Sequence, residues 1–450
     1  MNDGLNINPN HIPQAVTAII NTLQTHGFPS FLVGGCVRDL LLGKAPKDYD
    51  ICTKAKPEEV KALFPKVIDT GIKYGTVTVL MNELAVEVTT YRKVVTYAGG
   101  PRASMIEYGS DAREDVVKRD FTINGLLFDG SQVVDYVQGI PDIRQGLIRA
   151  IEAPAARFTE DPLRMMRAVR FCSQLGFELE ASTLEAITAE ADLITRASPE
   201  RIRDELVKIL LSDRPAAGLR LLYRTGLLKW VLPELERCQG FNQRNPRHSL
   251  DVFDHTLAVV ENVPGALVLR LAALLHDVGK PLTFSVGEDG IGHFYGHDRK
   301  SSELAVEILS RLRFDHKTID SVALLVKEHM RRLQSPSKSA LKRLINRVGA
   351  ELVFSLLDLQ IADIKRPETL QEAGQLEELK NQVRSILDEN EPIGFKALAI
   401  NGHDLKTLGI NPGVQMKEIL SFLLEQVIDH PELNNRERLL EIVTTNYLHD

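Results

Sequence analysis

The 450-residue sequence contains no apolar run that approaches the roughly 18–20 residues needed to span a bilayer. Its four cysteines lie far apart without a CxxC pair, which is typical of reduced cytosolic thiols and excludes a zinc ribbon. Residues 1–13 lack a cationic segment followed by an apolar one, so we expect no secretory signal, a cytoplasmic location and no membrane partner. Neither sign of charge dominates, since 54 basic and 61 acidic side chains give a net charge of −7. A nucleic-acid partner would therefore need a local basic surface.

The composition, with 44% hydrophobic and 26% charged residues, is that of an ordinary globular protein. Strand-like alternation is concentrated between residues 25 and 150, and helical periodicity dominates from about residue 155. These patterns predict an α+β fold, in which a head with a small mixed sheet is followed by an elongated, all-helical body. The predicted domains are a head at 1–150, a neck at 151–240, a helical domain at 241–385 and a helical tail at 386–450.

Local patterns predict the elements of the head. We expect helices at 13–27 and 37–42 and strands at 31–33, 48–52, 75–81 and 85–91. Residues 96–104 contain two glycines and a proline, which predicts a mobile loop.

Two aspartates follow a pair of glycines in this head. Asp48 and Asp50 are two residues apart on a predicted strand, so their carboxylates would share one face about 7 Å apart and could hold divalent cations together. Gly34 and Gly35 precede a predicted helix and would allow a phosphate to approach the backbone, with Arg38 in reach of an oxygen. Carboxylates beside a phosphate site favour two-metal phosphoryl or nucleotidyl transfer, although a hairpin with two exposed aspartates is the alternative.

Four motifs in this order resemble those of class II tRNA nucleotidyltransferases and bacterial poly(A) polymerases, which belong to the DNA polymerase beta superfamily. The motifs are GGCVRDLLLG with KDYD at 34–50, KRDFTIN at 118–124, EDPLRMMRAVRF at 160–171 and ERIRDEL at 200–206. The resemblance covers about residues 25–240. It implies a polymerase-beta-like head that adds nucleotides to the 3′ end of tRNA from CTP and ATP.

The resemblance also implies roles for individual residues. Asp48 and Asp50 would bind Mg²⁺, and Glu87 on the next strand is a third candidate carboxylate, or else a plain surface glutamate. Nucleotide-binding roles fall on Gly34, Gly35, Arg38, Lys118, Arg119, Asp120, Asn124, Asp161, Arg164, Arg167 and Arg170.

Within this set, Asp120 and Asn124 would bind the ribose, and Asp161 with Arg164 would select cytosine or adenine. Arg167 and Arg170 would meet phosphates, and Lys118 replaces the usual arginine and loses its bidentate geometry. From the residues alone, a solvated charged turn and a stabilising helical ion pair are the commoner interpretations of such patterns.

A second set of polar residues lies in the helical body. His255, the pair His276-Asp277 and the distant Asp363 form the ligand pattern of HD-type metal phosphohydrolases, which the chain resembles over about 248–365. His297 and His329 would complete a second metal position, whereas we interpret His293 as a loop histidine. Imidazole and carboxylate ligands suit Mn, Ni, Fe or Zn. The alternative is that these histidines are buried structural residues.

A basic stretch between residues 327 and 347 has only one acidic residue, Glu328, and is a candidate RNA-binding surface. Its cations are Lys327, Arg331, Arg332, Lys338, Lys342, Arg343 and Arg347. A solvated helical face is the alternative. The segment 399–405 resembles the C-terminal tail of HD-bearing relatives, which implies contact with the tRNA elbow.

The leading hypothesis is therefore a template-independent enzyme that adds CCA to tRNA, as a monomer or homodimer. Residues 92–111 have roughly the length seen in enzymes that complete the CCA end, whereas relatives that add only cytidines shorten this region, so the resemblance favours addition of CCA or of the terminal A. An A-adding enzyme and a poly(A) polymerase remain alternatives within the same class of enzyme. An HD metal phosphohydrolase is the alternative from another class. A non-catalytic tRNA-binding scaffold is the least favoured hypothesis.

Overall fold

A computed structural model describes residues 6–97, 103–244, 250–364, 369–389 and 392–448. The chain forms two compact units, residues 1–236 and 237–450.

The first unit contains eleven strands among its described residues. They are β1 (Ser30–Val33), β2 (Asp50–Thr53), β3 (Val67–Gly71), β4 (Thr76–Met81), β5 (Leu84–Thr90), β6 (Arg92–Tyr97), β7 (Ala103–Tyr108), β8 (Leu126–Phe128), β9 (Val133–Asp135), β10 (Leu147–Ile148) and β11 (Glu178–Leu179). Seven of them form one mixed sheet in the order β3-β4-β5-β2-β1-β8-β9. Only β2 and β5 pair in parallel within this sheet, and the other neighbours are antiparallel.

The helices of this unit are α1 (Gln14–Thr25), α2 (Gly35–Leu41), α3 (Pro57–Leu63), α4 (Ala112–Val116), α5 (Gly139–Gln145), α6 (Pro154–Glu160), α7 (Leu163–Leu175), α8 (Ala181–Ala189), α9 (Pro199–Leu210), α10 (Pro215–Arg224), α11 (Leu228–Val231) and α12 (Pro233–Glu236). The apolar face of α1 is buried, because Val16, Ile19 and Leu23 recur at helical spacing and are 0% exposed. The mixed sheet with following helices confirms the predicted fold class.

Several local predictions need correction. The strand with the aspartates begins at Asp50, so Asp48 lies in the bend before it. The predicted loop at 96–104 begins and ends in strands: residues 96–97 belong to β6 and residues 103–104 to β7, and these strands pair with each other. Residues 98–102 lie outside the described residues.

The block at 160–171 is not one helix. Helix α6 ends at Glu160, Asp161 has extended backbone, and α7 begins at Leu163 after Pro162. Proline restricts the residue before it to extended conformations, which ends the first helix at this point. Short strands also continue beyond residue 155, where the sequence showed no strand signal.

The second unit is helical except for one small hairpin of β12 (Ser285–Val286) and β13 (Gly292–His293) among its described residues. Its helices are α13 (Val252–Asn262), α14 (Leu267–Leu275), α15 (Lys280–Thr283), α16 (His297–Arg311), α17 (His316–Glu328), α18 (Lys338–Val348), α19 (Val353–Ile364), α20 (Leu370–Asp388), α21 (Gly402–Thr407), α22 (Val414–Asp429) and α23 (Arg436–Tyr447). The last three helices enclose an apolar cluster of their own, which includes Leu405, Leu423 and Val443.

Among the described residues, no helix combines the length and the apolar composition needed to cross a bilayer.

Candidate active site and metal centre

Three carboxylates meet at the edge where β2 begins. The parallel register of β2 and β5 places Asp50 directly opposite Glu87, and Asp48 precedes Asp50 in the adjoining bend. Burial raises the pKa of Asp50, and the charges of Glu87 and Asp48 raise it further, while Arg119 opposes the shift. The charges of Glu87 and Asp48 beside Asp50 form a negative site, which a bound cation would stabilise.

Gly34 faces this site with a backbone that favours glycine. Its φ of +84° and ψ of −136° lie outside the regions open to L side chains. A Cβ atom at Gly34 would lie 2.9 Å from Nη1 of Arg119 and 4.0 Å from Oδ2 of Asp50. The absence of a side chain therefore lets a guanidinium lie directly over the start of α2.

Arg119 is held by Asp115, a residue that the sequence reasoning missed. Nε and Nη2 of Arg119 donate to Asp115 at 3.3 and 3.2 Å, and the backbone and side chain of Arg92 donate to the same carboxylate. Asp115 is fully buried, but its two arginine partners outweigh the effect of burial and lower its pKa. No sequence motif pointed to Asp115, because its importance depends on partners that only the folded chain brings together.

A chain of hydrogen bonds links four of the predicted nucleotide-binding residues. Nη1 of Arg38 donates to Asn124 at 2.6 Å, and the amide of Asn124 donates to Oδ1 of Asp120 at 3.0 Å. Nε of Arg167 donates to Oδ2 of Asp120 at 2.8 Å. Burial tends to raise the pKa of Asp120, but Arg167 and these donors hold it well below its ordinary value.

Asp161 and Arg164 line the same cavity, but among the described contacts only their backbones bond to each other, from the N–H of Arg164 to the carbonyl of Asp161 at 3.1 Å. Arg201 donates to both carboxylate oxygens of Asp161, at 3.2 and 2.8 Å. Nη1 of Arg164 donates to Glu160 at 2.9 Å, and its Nη2 donates to the carbonyl of Lys118 at 3.2 Å. The predicted pair therefore has a separate ionic partner for each member.

Arg170 differs from the other predicted phosphate ligands. It does not line the cavity, and its Nε donates to the buried Glu205 at 2.6 Å. Its guanidinium also lies 4.1 Å from the ring centre of Phe171. The motif at 200–206 was recognised in the sequence, but neither Arg201 nor Glu205 was given a role.

The cavity lined by Arg119, Asp120, Asp161 and their neighbours has a volume of about 410 Å³. Six cations and three carboxylates line it together with Leu163, which favours a polyanionic ligand such as a nucleoside triphosphate. The charged lining residues are Arg92, Lys118, Arg119, Asp120, Glu160, Asp161, Arg164, Arg167 and Arg201.

In the second unit, the predicted histidines and aspartates lie together. Nε2 of His255 lies 3.0 Å from Oδ1 of Asp363, and Nε2 of His276 lies 3.2 Å from Oδ2 of Asp277. On the other oxygen of Asp277, Nε2 of His297 lies at 3.3 Å and Nε2 of His329 at 3.9 Å. The ligand atoms fall into two groups that share Asp277: His255, His276, Asp277 and Asp363 in one, and Asp277, His297 and His329 in the other.

The histidine tautomers are suited to metal binding. Nδ1 of His276, His297 and His329 lies 2.6–2.8 Å from the carbonyl of the residue three positions earlier, which orients Nε2 towards the carboxylates. These three Nε2 atoms are buried and make no hydrogen bond to any residue that the structure describes. Although burial acts against it, the carboxylates raise the pKa of His276 to about 10, whereas burial lowers that of His329 to about 4. The donor set therefore fits one or two divalent transition-metal ions.

In this region the structure corrects the prediction for His293 and shows a contact of Lys280 that the sequence did not predict. His293 belongs to β13 rather than a loop, and its ring stacks on Tyr295 at 5.2 Å. Lys280 is buried, with Nζ 2.6 Å from Oδ2 of Asp277.

The basic stretch at 327–347 does not form a continuous cationic surface. The prediction is wrong for Lys342, which is 2% exposed. The guanidinium of Arg332 pairs with Asp363 of the metal centre. Four further cations pair with acidic side chains, and Lys327 is exposed on α17. The pairs are Arg331 and Arg347 with Glu328, Lys338 with Glu389, and Arg343 with Glu425 and Asp429. Helical spacing placed these cations on a surface but did not reveal the carboxylates of neighbouring helices.

Three domain families match the chain. The poly A polymerase head domain matches residues 30–149, the "Probable RNA and SrmB- binding site of polymerase A" matches residues 176–239, and the HD domain matches residues 247–366.

Known proteins are similar over part or all of the chain. A CCA-adding enzyme of Lactiplantibacillus plantarum is 43% identical over 48% of this chain and 54% of that protein. One from Levilactobacillus brevis is 32% identical over 96% of this chain and 99% of that protein. The crystal structure of Bacillus stearothermophilus CCA-adding enzyme in complex with CTP has a TM-score of 0.73 and 30% identity, covering 96% of this chain and 98% of that chain. This chain belongs to the family of CCA-adding enzymes.

Proposed function

We propose that this chain builds or repairs the 3′-terminal CCA of tRNA from CTP and ATP without a nucleic-acid template, in the cytoplasm. The observation that carries the proposal is the cationic cavity beside the three carboxylates, in a chain of this family. Addition of the terminal A alone and poly(A) synthesis would use the same groups and remain alternatives.

In the proposed reaction, the 3′ hydroxyl of tRNA attacks the α-phosphate of the incoming nucleotide, and pyrophosphate leaves. Asp48, Asp50 and Glu87 would hold Mg²⁺, which when bound activates the hydroxyl and stabilises charge on the leaving group. Arg119 and Lys118 line the cavity and would bind the phosphates. Because Gly34 has no side chain, it would leave room for the phosphates to approach Arg119.

Base selection is assigned to Asp161 and Arg164. Cytosine and adenine each present an amino donor beside a ring-nitrogen acceptor, which complement a carboxylate acceptor and a guanidinium donor. Guanine and uracil present a carbonyl beside an N–H group, which would place acceptor against acceptor and donor against donor. Both side chains line the cavity, so a base could reach them from one side.

Ribose recognition by Asp120 and Asn124 requires a rearrangement. The carboxylate of Asp120 accepts from the backbone of Phe121, from Asn124 and twice from Arg167, which fills its four acceptor positions. A sugar hydroxyl would therefore replace one donor of Arg167. Arg167 would then be released to bind phosphate, as the resemblance implies.

The assay incubates tRNAs that lack one, two or three terminal nucleotides with CTP, ATP or both. A CCA-adding enzyme completes all three substrates, whereas an A-adding enzyme extends only the tRNA that lacks one nucleotide. The double variant D48A/D50A should lose incorporation but retain tRNA binding. D69N is the matched control, because Asp69 is an exposed aspartate of the same sheet whose one ion-pair partner among the described residues is Lys61. Incorporation by the double variant would contradict the proposal.

For RNA contact, we favour the exposed face of α10 and α11, in the segment that matches the RNA-binding family. Residues 214–232 contain four basic and no acidic side chains. Trp230 is 44% exposed, and Nζ of Lys229 lies 5.4 Å from its ring. Exposed aromatic and cationic groups together suit stacking on bases and contact with phosphates. Replacing Trp230 by alanine should weaken tRNA binding, and unchanged binding would exclude this face.

A second activity, metal-dependent phosphate-ester hydrolysis, is favoured by the two ligand groups that share Asp277. His255, His276, Asp277 and Asp363 would hold one divalent ion, and Asp277, His297 and His329 a second. A bound ion would lower the pKa of a coordinated water and so supply a nucleophile. Hydrolysis of p-nitrophenyl phosphate or its bis ester with Mn²⁺ or Ni²⁺ tests this activity. Loss of hydrolysis in H276A with intact CCA addition would support it, whereas hydrolysis that H276A retains would contradict it.

A further inference from the structure

Arg332 lies at the edge of the histidine–aspartate centre. It follows the end of α17 by four residues, and Nε2 of Gln360 fixes this turn by donating to the carbonyls of His329 and Arg331 at 3.0 and 3.3 Å. Nη2 of Arg332 donates to Oδ2 of Asp363, whose other oxygen faces His255. The guanidinium is therefore held by a carboxylate that belongs to the proposed metal site.

One donor of this guanidinium has no acceptor among the described residues. Nε of Arg332 is buried and makes no hydrogen bond within the part of the chain that the structure describes. A buried unpaired donor is costly, and a charged one more so. An acceptor atom delivered by a ligand at this site would remove that cost.

The exposure of the centre shows from which side a ligand can arrive. The side chains of His276, Asp277 and His329 are at most 2% exposed. Asp363 is 11% exposed and Arg332 is 30% exposed. The open side of the centre is therefore the side on which Arg332 lies.

We propose that Arg332 is the anion-binding residue of this centre and that it recognises the phosphoryl group of a phosphate ester. A guanidinium has five donors in a planar fork, so it can keep its bond to Asp363 while donating from Nε to a phosphate oxygen. Lys280 does not serve this role, because it is 7% exposed and its ammonium is held by Asp277. The inference rests on the proposed metal-dependent hydrolysis and names the residue that binds its substrate.

The test uses calorimetry on the full chain. Mn²⁺ is titrated into the wild type and into R332Q, R332K and R331Q, and inorganic phosphate is then titrated into each Mn²⁺-loaded protein. R331Q is the matched control, since Arg331 is the adjacent arginine, is 53% exposed and pairs with Glu328.

We expect R332Q to weaken phosphate binding by about tenfold or more, the loss typical of a charged hydrogen bond. Its affinity for Mn²⁺ should equal or exceed that of the wild type, because Asp363 loses a competing cation. R332K should recover only part of the phosphate affinity, because an ammonium lacks the fork, and R331Q should match the wild type.

Two results would overturn this inference but leave the proposed metal centre standing. One is phosphate binding by R332Q that is as tight as in the wild type. The other is loss of Mn²⁺ binding in R332Q, which would mark a purely structural role. Absence of Mn²⁺ binding in the wild type would instead overturn the proposed metal centre, and this inference with it.

Discussion

The replacement of Gly34 by alanine tests the link between backbone geometry and the nucleotide site. The backbone of Gly34 lies at φ +84° and ψ −136°, where a residue with a side chain is strained by about 1–3 kcal/mol. The new methyl group would also lie 2.9 Å from Nη1 of Arg119 and would displace it. Arg119 would then weaken its hydrogen bonds to Asp115, which are worth about 1.5–3 kcal/mol for charged partners.

Gly43 provides the matched control. It also has a positive φ, +67°, but a Cβ atom there would meet no atom within 4 Å. G43A should therefore show only the backbone strain, about 1–2 kcal/mol for a left-handed residue. The difference between the two variants therefore reports the displacement of Arg119 together with any additional backbone strain at Gly34.

Two measurements separate stability from catalysis. The chain has a single tryptophan, Trp230, in the first unit, so its fluorescence during urea unfolding reports that unit alone. Nucleotide incorporation is measured well below the unfolding transition. We expect G34A to lose at least about 100-fold in incorporation, which corresponds to about 2.7 kcal/mol. G43A should keep nearly the wild-type rate despite its lower stability. A folded G34A protein with the wild-type rate would refute the role given to Gly34 and Arg119.

Three further predictions concern single aspartates. D50N should reduce incorporation by about a thousandfold or more, because a carboxylate that holds the metal stabilises the charged transition state by several kcal/mol. A gel-shift assay should show unchanged tRNA binding by D50N. D115N should destabilise the first unit by roughly 3–5 kcal/mol at pH 7, because it leaves buried guanidinium groups without their carboxylate. Since the pKa of Asp115 is lowered on folding, this contribution is complete above the unfolded value of about 3.9 and is lost as the pH falls through the folded value. The urea midpoints of wild type and D115N should therefore converge below about pH 4, and a constant gap down to pH 3 would contradict this reasoning. D277N should abolish Mn²⁺ binding in calorimetry, because Asp277 is shared by both ligand groups of the second unit. CCA addition by D277N should continue. A parallel loss of CCA addition would show that the two sites are not independent.

The sequence by itself determined what depends on neighbouring residues along the chain. The burial of Val16, Ile19 and Leu23 follows from helical spacing, and the left-handed backbone of Gly34 follows from the Gly-Gly turn. The motifs also placed Asp50 on a strand and His276-Asp277 in the helical body. Each of these features is fixed by local backbone periodicity or by residue chemistry, which a linear pattern records.

Only the tertiary structure decided which charged groups face each other. Asp50 lies opposite Glu87 because two strands separated by a helix and a hairpin pair in parallel. Asp161 pairs with Arg201 from a later helix rather than with Arg164 three residues away. Arg332, which follows α17, pairs with Asp363 of α19 at the edge of the metal centre, a contact that its spacing in the sequence does not show. The partner of an ion depends on distances of a few ångströms between distant segments, and packing of the whole unit sets those distances.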